Sequence, residues 1–112
     1  MKILTTIVIV DDEEEILTAL EQMLSGEGYV VKAFSSSKEA ETYLKTKTAD
    51  LAVFDIKMPE LDGFSLLKSV RVHRPSLPII FLSSKAEEQD QIIGFTLGAD
   101  DYITKPFSKH LL

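Results

Sequence analysis

Short apolar runs that end in charged residues are the feature that most constrains the fold of this chain. The runs cover residues 7–10, 51–54 and 102–103, and the charged residues that follow them are Asp11, Asp12, Asp55 and Lys105. Such runs are typical of buried parallel strands, whose carboxyl ends meet at the edge where open α/β sheets bind ligands. Carboxylates gathered there repel one another unless a cation joins them, and hard divalent cations prefer oxygen ligands. The sequence therefore predicts an acidic Mg²⁺ site with a lysine beside it.

The length and composition predict one ordinary globular domain. Of the 112 residues, 45% are hydrophobic and 27% are charged, and there is no Cys to form a disulfide or a thiolate metal site. The net charge of −6 argues against nucleic-acid binding, because phosphate contacts require clusters of Lys and Arg. No apolar stretch approaches the roughly 18 residues of a transmembrane helix, and the N-terminal run lacks a cleavage site. We therefore expect a cytoplasmic chain with protein partners and no membrane contact.

Apolar runs alternate with amphipathic stretches, and this alternation predicts βαβ units around a parallel sheet. The predicted strands cover residues 6–10, 29–34, 51–54, 79–82 and 101–104. A first helix should begin at Asp12 as its N-cap and end at Gly26 or Gly28. A second helix should begin at Ser36, whose pairing with Glu39 is a capping-box signature.

The later helices are predicted with different strengths. The third should carry Phe64, Leu67, Val70 and Val72 and end before Pro75. The fourth, over residues 86–97, has a polar first half and a glycine, so it should be among the less stable elements. A fifth helix could be capped by Ser108, but it would have about one turn before residue 112.

Several segments, taken together, resemble the receiver domains of two-component response regulators. They are IVIVDDE at residues 7–13, DIKMP at 55–59, DG at 62–63, IIFLSS at 79–84, GADDY at 98–102 and KPF at 105–107. Their order and spacing match over essentially the whole chain. The resemblance implies a doubly wound α/β domain with a five-stranded parallel sheet in the flavodoxin-like order 2-1-3-4-5. It also implies a phosphoacceptor that receives a phosphoryl group from a sensor histidine kinase.

The resemblance assigns roles to the predicted acidic pocket. Asp55 would be the phosphoacceptor, and a positioned, ionised carboxylate can indeed act as a nucleophile. Asp12 would bind Mg²⁺ directly and Asp11 through water, although Asp12 could also be only an N-cap. Asp55 and the backbone carbonyl of Lys57 would complete the protein ligands. This sparse set suffices because Mg²⁺ usually keeps several waters.

The resemblance also implies how the phosphoryl group is held and detected. Lys105 would pair with the phosphoryl oxygens, and Ser83 would hydrogen-bond the group after transfer. Tyr102 would then swing inward, so that the surface around the fourth helix and fifth strand switches. The alternatives are a helix cap for Ser83 and an ordinary half-buried tyrosine for Tyr102.

Four other polar residues lie near these motifs or attract a functional interpretation. Lys57 and Lys85 should lie at the mouth of the pocket, where they either tune the lifetime of the aspartyl phosphate or are simply solvated. His73 and His110 have no matching partners nearby in sequence, so we expect them to be surface residues.

The chain departs from the family pattern near its C-terminus. The fifth helix is expected to be largely missing, which predicts that residues 1–112 are a truncated receiver domain of a longer regulator with an output domain. A partner that replaces the helix is the alternative. The motifs are closest to receivers attached to winged-helix DNA-binding domains, which dimerise through the fourth helix, fifth strand and fifth helix. Gln91 stands where an arginine is usual, so a homodimer stays an open prediction.

Two rival functions use similar residues. Haloacid-dehalogenase-like phosphatases also use an Asp nucleophile with Mg²⁺, but they place a second acid two residues later, where this chain has Lys57. A pseudo-receiver would act by protein contact alone, but every expected pocket residue is present. We therefore predict a signalling domain that assists its own phosphorylation and dephosphorylation and is not a metabolic enzyme.

Overall fold

The computed structural model describes residues 5–56, 58–83 and 101–104, with Ser83 and the last four residues described by their backbone alone. The strands are β1 (Thr6–Val10), β2 (Val30–Phe34), β3 (Leu51–Phe54), β4 (Ile79–Ser83) and β5 (Asp101–Thr104). They form one parallel sheet in the order β2-β1-β3-β4-β5. The predicted five-stranded sheet of flavodoxin-like order is confirmed.

The described helices are α1 (Glu14–Gly26), α2 (Ser37–Thr46) and α3 (Gly63–His73). The predicted cap of α2 is confirmed, because the Ser36 hydroxyl accepts the backbone N–H of Glu39 at 3.3 Å. At α3 the Asp62 carboxylate accepts the N–H of Ser65 at 2.8 Å. Each cap satisfies an N–H that the first turn of a helix leaves without an intrahelical partner.

The start of α1 differs from the prediction. Asp12 was predicted to be the N-cap, but the cap position belongs to Glu13, whose side chain makes no capping hydrogen bond. The N–H of Glu13 instead donates to the Asp11 carboxylate at 2.9 Å, so a local Asx-type bond turns the chain before the helix begins. The helix end at Gly26 agrees with the prediction. The other candidate, Gly28, follows with a positive φ of 93° that suits glycine.

The two faces of the sheet carry separate cores. One core packs β1, β3 and β4 against α2 and α3, with Phe54 and Phe81 fully buried. The other packs the opposite faces of β1 and β3 against α1, through Leu20 and Leu24. Helices on both faces explain why the four consecutive residues Ile7 to Val10 of β1 are all buried, so that they form a continuous apolar run. The doubly wound architecture is therefore confirmed.

Val72 lies in α3 as predicted, but its side chain does not join the core. Its side chain is 78% exposed, because Leu66, Leu67 and Val70 form the buried face of α3. His73 is exposed, as predicted. The predicted fourth and fifth helices lie outside the described residues, as do Lys57, Lys85, Gln91, Lys105, Ser108 and His110. None of the described helices combines the length and hydrophobicity that crossing a membrane requires.

Candidate functional site

The candidate site lies where the chain reverses its direction of travel across the sheet. After β1 the chain forms β2 on one side, and it later returns to form β3 on the other. The last residues of the two central strands, Val10 and Phe54, are partners in the sheet register. The next residue, Asp55, still donates its N–H to the carbonyl of Val10 at 2.9 Å. Asp11 and Asp55 therefore leave neighbouring strands at the same level, at the switch point where open α/β sheets form their ligand crevice.

Three of the predicted site residues meet in this crevice. Asp11, Asp12 and Asp55 each offer a carboxylate oxygen, and these oxygens all lie within 4.8 Å of one another. Asp11 is 1% exposed and Asp55 5% exposed, whereas Asp12 is on the surface. The cluster therefore has two acids fixed in the protein and one that faces solvent.

Backbone amides orient the two buried carboxylates. Asp11 accepts the N–H of Glu13, and Asp55 accepts the N–H of Ile56, both at 2.9 Å. A carboxylate oriented in this way keeps its position when an ion or a substrate arrives, which is what preorganised sites require.

The charges of the cluster favour a bound cation. Two unit negative charges separated by 4.8 Å, the upper limit for these oxygens, repel by roughly 3 kcal/mol at the effective dielectric constant of about 20 typical near a protein surface. A divalent cation converts this repulsion into attraction, and carboxylate oxygens are the ligands that Mg²⁺ prefers. The donor set of Asp11, Asp12 and Asp55 therefore fits a hard divalent cation.

Gly63 is a site-supporting residue whose role the sequence did not reveal. The first residue of α3 lies against the backbone that follows β3, and its N–H donates to the carbonyl of Ile56 at 2.7 Å. A Cβ atom at Gly63 would lie 2.2 Å from the carbonyl oxygen of Asp55 and 2.9 Å from the Cα of Ile56. Only a residue without a side chain permits this approach. In the sequence, the Asp62-Gly63 pair indicated a loop and matched a family motif. The close approach of Gly63 to Asp55 joins residues that are distant in the chain, so no local pattern predicts it.

The remaining predicted residues are described only in part. Ser83 is the last residue of β4 and pairs in register with Thr104, so its backbone lies at the carboxyl edge of the sheet. The backbone of Tyr102, in β5, pairs in register with Phe81 of β4. Lys57 and Lys105 lie outside the described residues, so their predicted roles stay predictions.

Comparison with known proteins assigns the chain to one family. Residues 7–112 match the family described as response regulator receiver domain. The regulatory protein VanRc of Enterococcus gallinarum is 43% identical over 102 residues, which cover 91% of this chain and 44% of that protein. The alkaline phosphatase synthesis transcriptional regulatory protein PhoP of Bacillus subtilis is 45% identical over 102 residues, with 91% and 42% covered.

A solved structure shows the same architecture. The CheY-like response regulator receiver domain protein of Methanospirillum hungatei JF-1 superposes with a TM-score of 0.91 at 33% identity, covering 96% of this chain and 86% of that one. The chain belongs to the response regulator receiver domain family. Its function is accordingly that of a phosphoacceptor domain in two-component signalling, as the motifs predicted. The chain spans less than half the length of the curated relatives described above, 44% and 42%.

Proposed function

We propose that Asp55 is the residue that accepts the phosphoryl group, with Mg²⁺ held by the acidic cluster. The observation that carries this proposal is the meeting of Asp11, Asp12 and Asp55 within 4.8 Å at the switch point of a receiver fold. Asp55 directly follows the central strand β3 and is 5% exposed. A nucleophile needs such a fixed position, because orientation supplies much of the rate of a group transfer.

The reaction is a displacement at phosphorus. A carboxylate oxygen of Asp55 forms a bond to the phosphorus of a phosphohistidine, and the bond from phosphorus to the donor imidazole breaks. The electron pair of the broken bond stays on the departing nitrogen, and the product is an acyl phosphate on Asp55. Mg²⁺, when bound, would neutralise negative charge on the phosphoryl oxygens. Asp11, Asp12, Asp55 and the backbone carbonyl of Lys57 would hold the ion.

The residues that would stabilise and report the phosphoryl group are also proposals. The Lys105 ammonium would pair with the phosphoryl oxygens, and the Ser83 hydroxyl would donate a hydrogen bond to them. Support for Ser83 comes from its position, since it ends the strand next to β3. Tyr102 would respond to the movement of Ser83 and alter the surface around β5 and the predicted fourth helix. Lys57 and Lys85 would tune the lifetime of the acyl phosphate.

The setting of the domain in a whole protein belongs to the same proposal. The relatives described above are more than twice as long as the part that matches, and PhoP is named as a transcriptional regulator. We propose a receiver domain within a longer cytoplasmic regulator, phosphorylated by a histidine kinase and coupled to an output domain. Catalysis of its own phosphorylation and hydrolysis, and association into a homodimer, are further proposals.

The test is phosphorylation of the chain by a small-molecule donor. The protein is incubated with acetyl phosphate and Mg²⁺, quenched in acid at intervals and weighed by mass spectrometry. The wild type should gain one phosphate, and Asp55→Asn should gain none. Asp50→Asn is the matched control, because Asp50 lies at the other end of β3 and its carboxylate accepts the N–H of Thr6, a role that an amide oxygen can keep.

The outcomes separate the candidate functions. A haloacid-dehalogenase-like phosphatase would release inorganic phosphate from added phosphomonoesters, and a pseudo-receiver would gain no mass at all. Equal phosphate on the wild type and Asp55→Asn would show that another residue is the acceptor. Dependence on Mg²⁺ is tested in the same assay by adding a chelator.

A further inference from the structure

The loop between Asp55 and α3 contains a strained turn. The N–H of Leu61 donates to the carbonyl of Pro59 at 2.8 Å, and Glu60 between them has a positive φ of 69°. A three-residue turn with a positive φ at its centre is a rare γ-turn, and glutamate has no intrinsic preference for it. Such a conformation persists only when the surrounding structure holds it.

Two hydroxyl groups at the start of α2 hold this turn from outside. The Ser37 hydroxyl donates to the carbonyl of Pro59, and the Ser36 hydroxyl donates to the carboxylate of Glu60, both at 3.3 Å. Ser37 is 1% exposed although it is the first residue of a helix and not its cap. Burying a hydroxyl is unfavourable unless it has a hydrogen-bond partner, and here the partner is a backbone carbonyl 22 residues further along the chain.

The other end of the same loop is fixed by α3. The Ile56 carbonyl accepts the N–H of Gly63, and Ile56 is buried in the core below α2 and α3. Met58 and Leu61 pack against that core. The loop is therefore tied at Ile56, directly after Asp55, and again at Pro59 and Glu60.

We propose that Ser36 and Ser37, which we call the hydroxyl pair, are positioning residues for the metal site. They would hold the γ-turn in its strained shape and so fix the loop that follows Asp55, whose carboxylate belongs to the acidic cluster. This inference rests on the proposed function, because it assigns the hydroxyl pair to the same Mg²⁺ site. Neither serine would touch the ion or the phosphoryl group. Their effect would pass through Pro59 and Glu60.

The principal test is Ser37→Ala in the full chain, with Ser69→Ala as the matched control. Ser69 on α3 donates to Glu41 on α2 at 2.6 Å, so the control also removes one hydroxyl between α2 and neighbouring structure but leaves the loop untouched. The Mg²⁺ dissociation constant is measured by following amide resonances in an NMR titration. We expect Ser37→Ala to raise it about tenfold, as losses of residues that orient metal ligands commonly do, and Ser69→Ala to leave it unchanged.

A second variant distinguishes the proposed positioning role from a general loss of stability. Glu60→Gly removes the acceptor of Ser36 and puts glycine where φ is positive, so the turn loses one of its two ties while its strain is relieved. We expect weaker Mg²⁺ binding with no fall in the urea midpoint. Amide hydrogen exchange at Leu61 should accelerate in both loop variants and stay unchanged in Ser69→Ala.

The Mg²⁺ titrations test the role of the hydroxyl pair, and the phosphorylation assay tests the proposed function separately. If Ser37→Ala binds Mg²⁺ as tightly as the wild type, or if Ser69→Ala weakens binding to the same degree, the hydroxyl pair has no positioning role. The phosphate gained by the wild type at Asp55 is measured in parallel. A wild type that binds Mg²⁺ but gains no phosphate overturns the proposed function, while the Mg²⁺ titrations still test the hydroxyl pair.

Discussion

An aspartate flanks each end of β3, and the two aspartates have different surroundings. At the amino end, the Asp50 carboxylate accepts the N–H of Thr6 at 2.7 Å, and the N–H of Asp50 donates back to the carbonyl of Thr6 at 2.8 Å. This reciprocal pair ties the start of β3 to the start of β1. At the carboxyl end, Asp55 lies with the carboxylates of Asp11 and Asp12.

The difference shows that the direction of the strands places acids with a structural role and acids with a functional role at opposite edges of the sheet. In a parallel sheet, every strand delivers its next residue to the same edge, so acids that follow neighbouring strands accumulate there. The single acid at the other edge, Asp50, accepts a hydrogen bond from the backbone N–H of Thr6, and this bond stabilises the register of β1 and β3. A cluster of acids destabilises the fold unless a ligand compensates, and that dependence is what makes the carboxyl edge responsive to ions and phosphate.

The largest expected effect at the carboxyl edge comes from Gly63→Ala. The new Cβ would lie 2.2 Å from the carbonyl oxygen of Asp55, which is backbone and cannot move aside without displacing the acceptor. We expect the free energy of unfolding to fall by about 3 kcal/mol, as for severe overpacking, and phosphorylation by acetyl phosphate to slow. Urea denaturation and the mass assay measure the two effects.

Gly26→Ala is the control for the glycine substitution. Gly26 ends α1, and a Cβ there would meet nothing within 4 Å. Alanine is the better helix former, so this variant should be as stable as the wild type or more stable by about 0.5–1 kcal/mol. Equal losses in the two variants would mean that the close approach at Gly63 is unimportant.

The next effect is the dependence of stability on Mg²⁺. At a Mg²⁺ concentration of about 100 times the dissociation constant, the wild type should gain about 2.7 kcal/mol of unfolding free energy over a chelated sample. Asp11→Asn keeps an oxygen for the N–H of Glu13 but removes one charge. We expect this variant to be more stable than the wild type in chelator and to gain far less from Mg²⁺. An undiminished gain would exclude Asp11 from the metal site.

The smallest effect should be at the amino edge. Asp50→Ala removes the acceptor of the Thr6 N–H, and we expect a loss of about 1 kcal/mol because water can reach this partly buried amide. Its gain in stability from Mg²⁺ and its uptake of phosphate should equal those of the wild type. If Asp50→Ala also lost the response to Mg²⁺, the functional contrast between the two ends of β3 would be wrong.

Local patterns predicted the strands closely. The predicted bounds of β1, β3 and β5 agree with the structure, because short β-branched runs bounded by charged or polar residues have few alternatives. The strand β2 begins one residue later than predicted, at Val30, since the N–H of Tyr29 still donates to Leu24 at the end of α1. The strand order came from the resemblance to receiver domains and is confirmed.

The error at the start of α1 originates in competition between neighbouring groups. Aspartate is a common N-cap residue, which suggested Asp12 for that role. The Asp11 carboxylate instead accepts the N–H of Glu13, and the helix begins at Glu14. At Asp12 the residue type was right for the predicted role, and the neighbouring Asp11 carboxylate decided otherwise. Val72 lies in α3 as predicted, but its side chain is exposed, because Leu66, Leu67 and Val70 form the buried face of the helix.

The sequence alone determined which residues end the strands and therefore which acids reach the carboxyl edge, because side-chain alternation and the burial of apolar runs are local properties. Only the tertiary structure decided that the three carboxylate oxygens lie within 4.8 Å, that Gly63 must lack a side chain, and that Ser37 reaches Pro59. The first fact depends on the pairing of β1 with β3, and the other two depend on how α2 and α3 pack near the end of β3. Packing joins residues that are far apart in the chain, so no local pattern records it.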